Sequence, residues 1–218
     1  MNKNKTESVS TPPSGAGGIV IINYGAGNIQ SIIFAIERLG FKAVLSNNPD
    51  EILGADKVIF PGVGEASSAM KMLIESGLDT LVPKLKQPVL GICLGMQLMC
   101  KSTEEGSTSG LGIFDVDVIK FTPAVKVPQM GWNTIYNLQS PLFTGISENE
   151  YMYLVHSFYA PLCKEAIATT NYEVEYASAL QKNNFYGTQF HPEKSGDVGE
   201  KILGNFLKIP LAPKGRTQ

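Results

Sequence analysis

Apolar positions along this chain fall into two regimes. In the first half, short β-branched runs alternate with stretches of helical period. Ile19-Val20-Ile21-Ile22 is apolar at every position, which predicts a strand buried on both faces. Tyr24-Gly25-Ala26-Gly27 turns the chain, with Asn28 placed as an N-cap. Ile29, Ile32, Ile33, Ile36 and Leu39 then recur at helical spacing, and Gly40 ends that helix. Phe41 to Leu45 reads as a second strand. Lys57 to Phe60 reads as a third and runs into Pro61-Gly62-Val63-Gly64, with a helix from about Glu65 to Ser76. Val89 to Ile92 is a fourth strand, and the helix directly after it is expected to contain Cys100. Strand alternating with helix in this way predicts a parallel α/β sheet.

The second half has a different rhythm. Residues near 111–121, 131–137, 151–159, 166–170, 173–180 and 184–190 read as short strands separated by polar turns. They predict antiparallel additions to the sheet. Val198, Ile202, Leu203, Phe206 and Ile209 predict a C-terminal helix packed back onto it. The expected fold class is therefore α/β, a central and mostly parallel open sheet flanked by helices, with antiparallel strands added. No repeat or composition break divides residues 19–210, which read as one domain. Residues 1–18 are polar and rich in Pro, Gly and Ser and read as a disordered tail; residues 211–218 read as a second, short tail.

Composition narrows the function classes. Eighteen Lys and Arg stand against 20 Asp and Glu, a formal net charge of -2, which gives no electrostatic case for a nucleic-acid or anionic-membrane binder. Residues 1–18 lack the apolar core of a signal peptide, and the longest mostly apolar stretch, Val89 to Cys100, is too short to cross a bilayer. A cytoplasmic, reducing compartment is the expectation. Three Cys make no disulfide framework, and no spacing suggests a metal site. Only two His are present, so acid/base chemistry by His has two candidates.

Three motifs can carry chemistry. Gly91-Ile92-Cys93-Leu94-Gly95, between a strand and a helix, has the form of a nucleophile elbow with Cys as the nucleophile. The flanking Gly residues allow the sharp turn, and the helix start supplies positive potential that favours a thiolate. A buried structural Cys in such a turn gives the same pattern. Phe190-His191-Pro192-Glu193-Lys194 places His191 and Glu193 two residues apart. On an extended segment, which Pro192 favours at His191, they share a side, as a general base and its orienter do. The same residues suit an exposed turn. In Pro61-Gly62-Val63-Gly64, Gly lets backbone N–H groups point into a cavity, as an oxyanion hole requires, although an ordinary tight turn reads alike. Gly25-Ala26-Gly27 is not a full dinucleotide fingerprint, because Gln30 stands at the third Gly position. Cys100 and Cys163 lack an elbow and read as core or incidental thiols. His156 lies in a strand pattern and reads as structural or loop-anchoring.

Together, Gly91-Ile92-Cys93-Leu94-Gly95-Met96-Gln97 and His191-Pro192-Glu193 resemble the class I, triad-type glutamine amidotransferases. Asn23-Tyr24-Gly25-Ala26-Gly27-Asn28, Pro61–Gly64, Pro128-Gln129-Met130-Gly131-Trp132-Asn133 and the continuation to Lys194-Ser195 narrow the resemblance. Within that family they are similar to the glutaminase subunits of imidazole glycerol phosphate synthases, in histidine biosynthesis, over about Ile19 to Ile209. The resemblance implies a Cys93-His191-Glu193 triad that hydrolyses glutamine to glutamate and ammonia. It implies an oxyanion site at Gly62, Val63, Gly64 and Leu94, and the Pro61–Gly64 loop is where a conformational switch by peptide flip could lie. It puts the substrate against Gly62, Gln97 and Glu105, near Ser157 and Phe158, where the family usually has Tyr in place of Phe158. It implies no metal and no cofactor. It also implies a (βα)8-barrel cyclase subunit as partner, docked near Asn23, Asn28, Met130, Trp132 and Lys194, which would receive the ammonia. A core position for Trp132 and a merely solvated Lys194 are the plain readings of those two residues. Two rivals share much of the pattern: the glutaminase of another synthase, such as pyridoxal phosphate or anthranilate synthesis, and a non-catalytic regulatory subunit on the same fold. A third rival is a stand-alone Cys hydrolase of γ-glutamyl compounds.

Overall fold

A computed structural model describes residues 18–25 and 28–211. The two expected tails, apart from Gly18 and Leu211, lie outside the described residues, as do Ala26 and Gly27 of the first loop.

The first half alternates as its pattern predicts: β1 (Ile19–Ile22), α1 (Ile29–Arg38), β2 (Ala43–Ser46), α2 (Pro49–Gly54), β3 (Lys57–Phe60), α3 (Ala66–Glu75), α4 (Leu78–Leu81), β4 (Val89–Ile92) and α5 (Leu94–Met99). The second half is mostly strand: β5 (Cys100–Thr103), β6 (Thr108–Ser109), β7 (Phe114–Lys120), β8 (Gln129–Ile135), β9 (Glu150–His156), β10 (Phe158–Pro161), β11 (Ala166–Tyr172), β12 (Val174–Lys182) and β13 (Phe185–Thr188), closed by α6 (Gly196–Lys208).

The main sheet runs in the order β2-β1-β3-β4-β13-β12-β10-β7-β5-β6, with β11 paired to β12. From β2 through β13 every pairing is parallel. Beyond β13 the pairings are antiparallel except β5 with β7. β1, β3 and β4 are buried at every position because both faces are covered. Ile19 and Ile21 pack with Ile32, Ala35 and Ile36 of α1 and with Ile202, Leu203 and Phe206 of α6. Val20 and Ile22 face the opposite layer, with Ile52 of α2 and Met70 and Leu73 of α3. Each fully buried aliphatic side chain contributes roughly 1.5–3 kcal/mol, so these two layers hold the strand ends in place.

Several expectations are corrected. Cys100 is not in the helix after Cys93: α5 ends at Met99, and Cys100 opens β5. The 94–100 run is buried on every side, so its apolar pattern carries no period that marks the helix end. β8 and β9 are not added to the main sheet; they form a separate two-stranded ribbon. The expected 151–159 strand divides at Ser157 into β9 and β10, which join different sheets. Asn28 precedes α1 but makes no side-chain capping bond.

Candidate active site

Three loops meet at the carboxyl ends of β3, β4 and β13, where open α/β sheets place their ligands. The central one is the turn from β4 into α5. Cys93 has φ 53° and ψ −111°, a conformation that a non-glycine residue adopts only when its surroundings hold it there. The surroundings do so. The Cys93 amide donates to the Thr188 carbonyl at 2.7 Å, tying the turn to β13. A Cβ on Gly95 would collide with the Phe60 carbonyl, and one on Gly91 would lie 2.9 Å from the Gly95 backbone. The start of α5 is thus pressed onto the end of β3, and only Gly admits the approach.

β13 leads to the second loop. His191 keeps the extended backbone that Pro192 favours (φ −97°, ψ 94°). The segment is not extended beyond it. Pro192–Lys194 is a 3₁₀ turn, and the turn carries the Glu193 carboxylate back to the imidazole. His191 Nδ1 lies 2.8 Å from Glu193 Oε1. Burial alone would lower the His191 pKa, but its interactions with Cys93 and Glu193 outweigh that and push it up to about 10. Its Nε2 has no hydrogen-bond partner among the described residues.

The third loop is Pro61–Gly64. Tyr24, buried, donates its hydroxyl to the Pro61 carbonyl at 2.7 Å and anchors the loop's first residue. Gly64 has φ +95°, open to Gly without strain. Gly62 packs against Leu94 and Gly95 of the elbow.

The cavity between these loops measures about 270 Å³, of the size of a small metabolite. Val63, Gly64, Cys93, Leu94, Gln97, Glu105, His156, Ser157, Phe158 and His191 all line it. Glu105 accepts from the Ala66 amide at 2.9 Å, and burial raises its carboxyl pKa. Among the described residues no cluster of His, Cys, Asp or Glu can hold a metal ion. An elbow thiol, a buried His–carboxylate pair and a loop of free-turning amides around one small cavity are the parts of a thiol acyl-transfer centre.

The model of the class-I glutamine amidotransferase family matches residues 20–209. The chain is a class-I glutamine amidotransferase.

Its relatives agree in length as well as in sequence. Imidazole glycerol phosphate synthase subunit HisH of Bacteroides fragilis is 53% identical over 194 residues, covering 88% of this chain and 99% of the relative. The protein of the same name from Yersinia pseudotuberculosis and subunit HisH 1 of Methanococcus maripaludis are 44% and 46% identical, with the same coverage. Among solved structures, a glutamine amidotransferase matches with TM-score 0.69 at 18% identity, covering 87% of this chain and 97% of its own. A putative GMP synthase subunit from Thermoplasma acidophilum matches with TM-score 0.68 at 20% identity, covering 87% of this chain and 91% of its own. These two share the fold.

Around the amidotransferase cavity lie groups to which the motifs assign no catalytic role. Gln189, fully buried, accepts from Gln97 Nε2 at 2.9 Å and donates to Cys93 Sγ at 3.8 Å. Ser195 donates to the His191 carbonyl at 2.7 Å and accepts from the Tyr153 amide at 2.9 Å, so it ties the His191 turn to β9. His156 is buried beside the cavity, with Nδ1 2.8 Å from the Phe158 carbonyl and Nε2 3.2 Å from the Tyr176 hydroxyl. Burial lowers its pKa to about 4. It is neutral at pH 7 and is held as an anchor. The signal for Gln189 is polarity at a buried position, which appears only once the chain is folded, whereas the anchoring of His156 agrees with its strand pattern.

The residues expected at an interface occupy varied settings. Met130 and Trp132 project from the β8–β9 ribbon, 66% and 55% exposed. Trp132 is therefore not a core residue. Its ring stands at 6.1 Å, edge-on to Tyr153, and Lys194 Nζ lies 5.9 Å above the same Tyr153 ring. Asn28 is exposed, while Asn23 is half-buried and accepts from the Gly25 amide.

Proposed function

We propose that this chain is the glutaminase subunit of an imidazole glycerol phosphate synthase, serving histidine biosynthesis. The observation that carries the reading is a cavity lined by both the elbow thiol of Cys93 and His191, whose Nδ1 lies 2.8 Å from the buried Glu193 carboxylate. The near-complete coverage of the HisH relatives supports the choice of synthase.

The chemistry follows from the residues. Cys93 passes its proton to His191 Nε2 and attacks the side-chain carboxamide carbon of glutamine. The oxyanion that forms is held by the Leu94 N–H and an N–H of the Val63–Gly64 segment. Glu193 fixes the Nδ1–H tautomer of His191 and stabilises the imidazolium. His191 then gives its proton to the departing ammonia and next deprotonates the water that cleaves the thioester, releasing glutamate. Both amide hydrogens of Gln97 are used within the protein, on the Phe158 carbonyl and Gln189, so its Oε1 is left as an acceptor for substrate. Glu105 is placed to meet the substrate's ammonium group, alongside Gly62, Ser157 and the Phe158 backbone.

Ammonia set free in bulk solution would be lost to protonation and diffusion. The exposed Met130 and Trp132, with Asn23, Asn28 and Lys194, form the face toward a (βα)8-barrel cyclase that consumes it. No helix among the described residues is long and apolar enough to cross a membrane, and the reading puts the complex in the cytoplasm. The Pro61–Gly64 loop is the switch: a peptide flip completes the oxyanion site when the cyclase holds its own ligand. Glutaminase rates for the chain alone, with cyclase, and with cyclase plus ligand test this. The rate rises across the series; equal rates in all three contradict the switch and the need for a partner.

A further inference from the structure

We propose that Gln189 is a positioning residue for the nucleophile, its carboxamide N–H directed at the Cys93 sulfur to favour the thiolate over the thiol. The inference rests on the reading of Cys93 as the nucleophile.

The orientation of the Gln189 amide is fixed by its neighbours. The Phe158 carbonyl can only accept hydrogen bonds. It lies 2.9 Å from the Gln97 amide and 2.8 Å from His156 Nδ1, so both groups present N–H to it. That identifies the nitrogen of Gln97, whose second hydrogen points at Gln189 at 2.9 Å. Gln189 must therefore present its oxygen to Gln97, which leaves its NH2 facing Cys93 Sγ at 3.8 Å. The Gln189 backbone is also pinned, donating to the Ser178 carbonyl at 2.8 Å.

The sulfur then stands between opposed neighbours. The Val155 carbonyl, also 3.8 Å away, accepts the S–H of the neutral thiol. The Gln189 N–H can stabilise only an acceptor, and a thiolate is far the better one. With His191 taking the proton, Gln189 tips the balance toward the reactive form. Gln97 thus serves two ends, lining the cavity and orienting the group that faces the nucleophile.

The test is the rate of Cys93 alkylation by iodoacetamide in the full chain, in a Cys163→Ser background, with the modified peptide identified by mass. Gln189→Glu keeps an oxygen for Gln97 but has no NH2; Gln189→Met removes the donor without adding charge. Both variants should be alkylated about tenfold more slowly than the parent near neutral pH, the size expected for a hydrogen bond to a charged group. The rates should converge at strongly alkaline pH, where the thiolate forms without help. Loss of packing alone would slow or speed the reaction at all pH values alike. A parental rate at neutral pH in either folded variant overturns the proposal, and thermal unfolding shows which variants are folded. If the parent is not alkylated at Cys93 at all, the reading of Cys93 as the nucleophile fails instead.

Discussion

His191 Nδ1 lies 2.8 Å from Glu193 Oε1, and the two side chains are 3% and 1% exposed. Such a pair cannot be broken on one side without leaving a buried polar group unpaired. It also sets the tautomer, because a carboxylate accepts and so keeps the ring proton on Nδ1. The free nitrogen, Nε2, is thereby the one turned to the cavity.

Glu193→Gln should lower the partner-stimulated glutaminase kcat by at least about 100-fold, the range of general acid–base effects. A Gln amide can donate to Nδ1 and stabilise the wrong tautomer, so His191 could no longer accept the Cys93 proton. Steady-state kinetics check it, and the KM for glutamine should change little, since Glu193 does not line the cavity.

Gly95→Ala should destabilise the protein by more than about 2 kcal/mol, as overpacking at a site with no slack does. The added methyl would meet the Phe60 backbone, which belongs to a central strand and cannot retreat. Chemical denaturation measures the loss. The comparison is Gly40→Ala, where a Cβ meets nothing within 4 Å and only the positive φ is strained.

Stability should fall on both sides of neutrality for separate reasons. His156 has a folded pKa of about 4, below its unfolded value, so the unfolded chain binds the extra proton as pH drops from about 6.5 to 4. The fold loses up to about 3 kcal/mol over that window. His191 has a folded pKa of about 10, so the stability from its charged form is present below about 6.5 and is lost as pH rises through 10. His156→Asn should flatten the acid limb and leave the alkaline limb in place, as read from unfolding midpoints across pH.

Much of this was legible in the chain before folding. Ile19–Ile22, Val58–Phe60 and Val89–Ile92 are buried on both faces, and a continuous short apolar run is how that appears in sequence. The elbow was legible because its glycines are required sterically within five residues. What was hidden is tertiary. The boundary at Cys100 is unmarked, since the helix and the strand beside it are buried alike. Whether β8 and β9 join the main sheet depends on their partners, which alternation does not name. Gln97 and Gln189 meet across 92 positions, and neither carries a local sign of the other.

Trp132→Ala should weaken association with the cyclase by roughly 2 kcal/mol or more, about 30-fold in Kd, as exposed aromatic anchors do when truncated. Trp132 is more than half exposed, so the unfolding midpoint of the isolated chain should be nearly unchanged. Titration calorimetry and a thermal melt of the same variant separate the two effects.

The most direct test is reconstitution with the cyclase subunit proposed as partner, comparing the parent chain with Cys93→Ala. The parent should support formation of imidazole glycerol phosphate from glutamine. Cys93→Ala should support it only when an ammonium salt replaces glutamine, since the cyclase then needs no glutaminase. Glutamine-dependent product at the parental rate with Cys93→Ala would contradict the account.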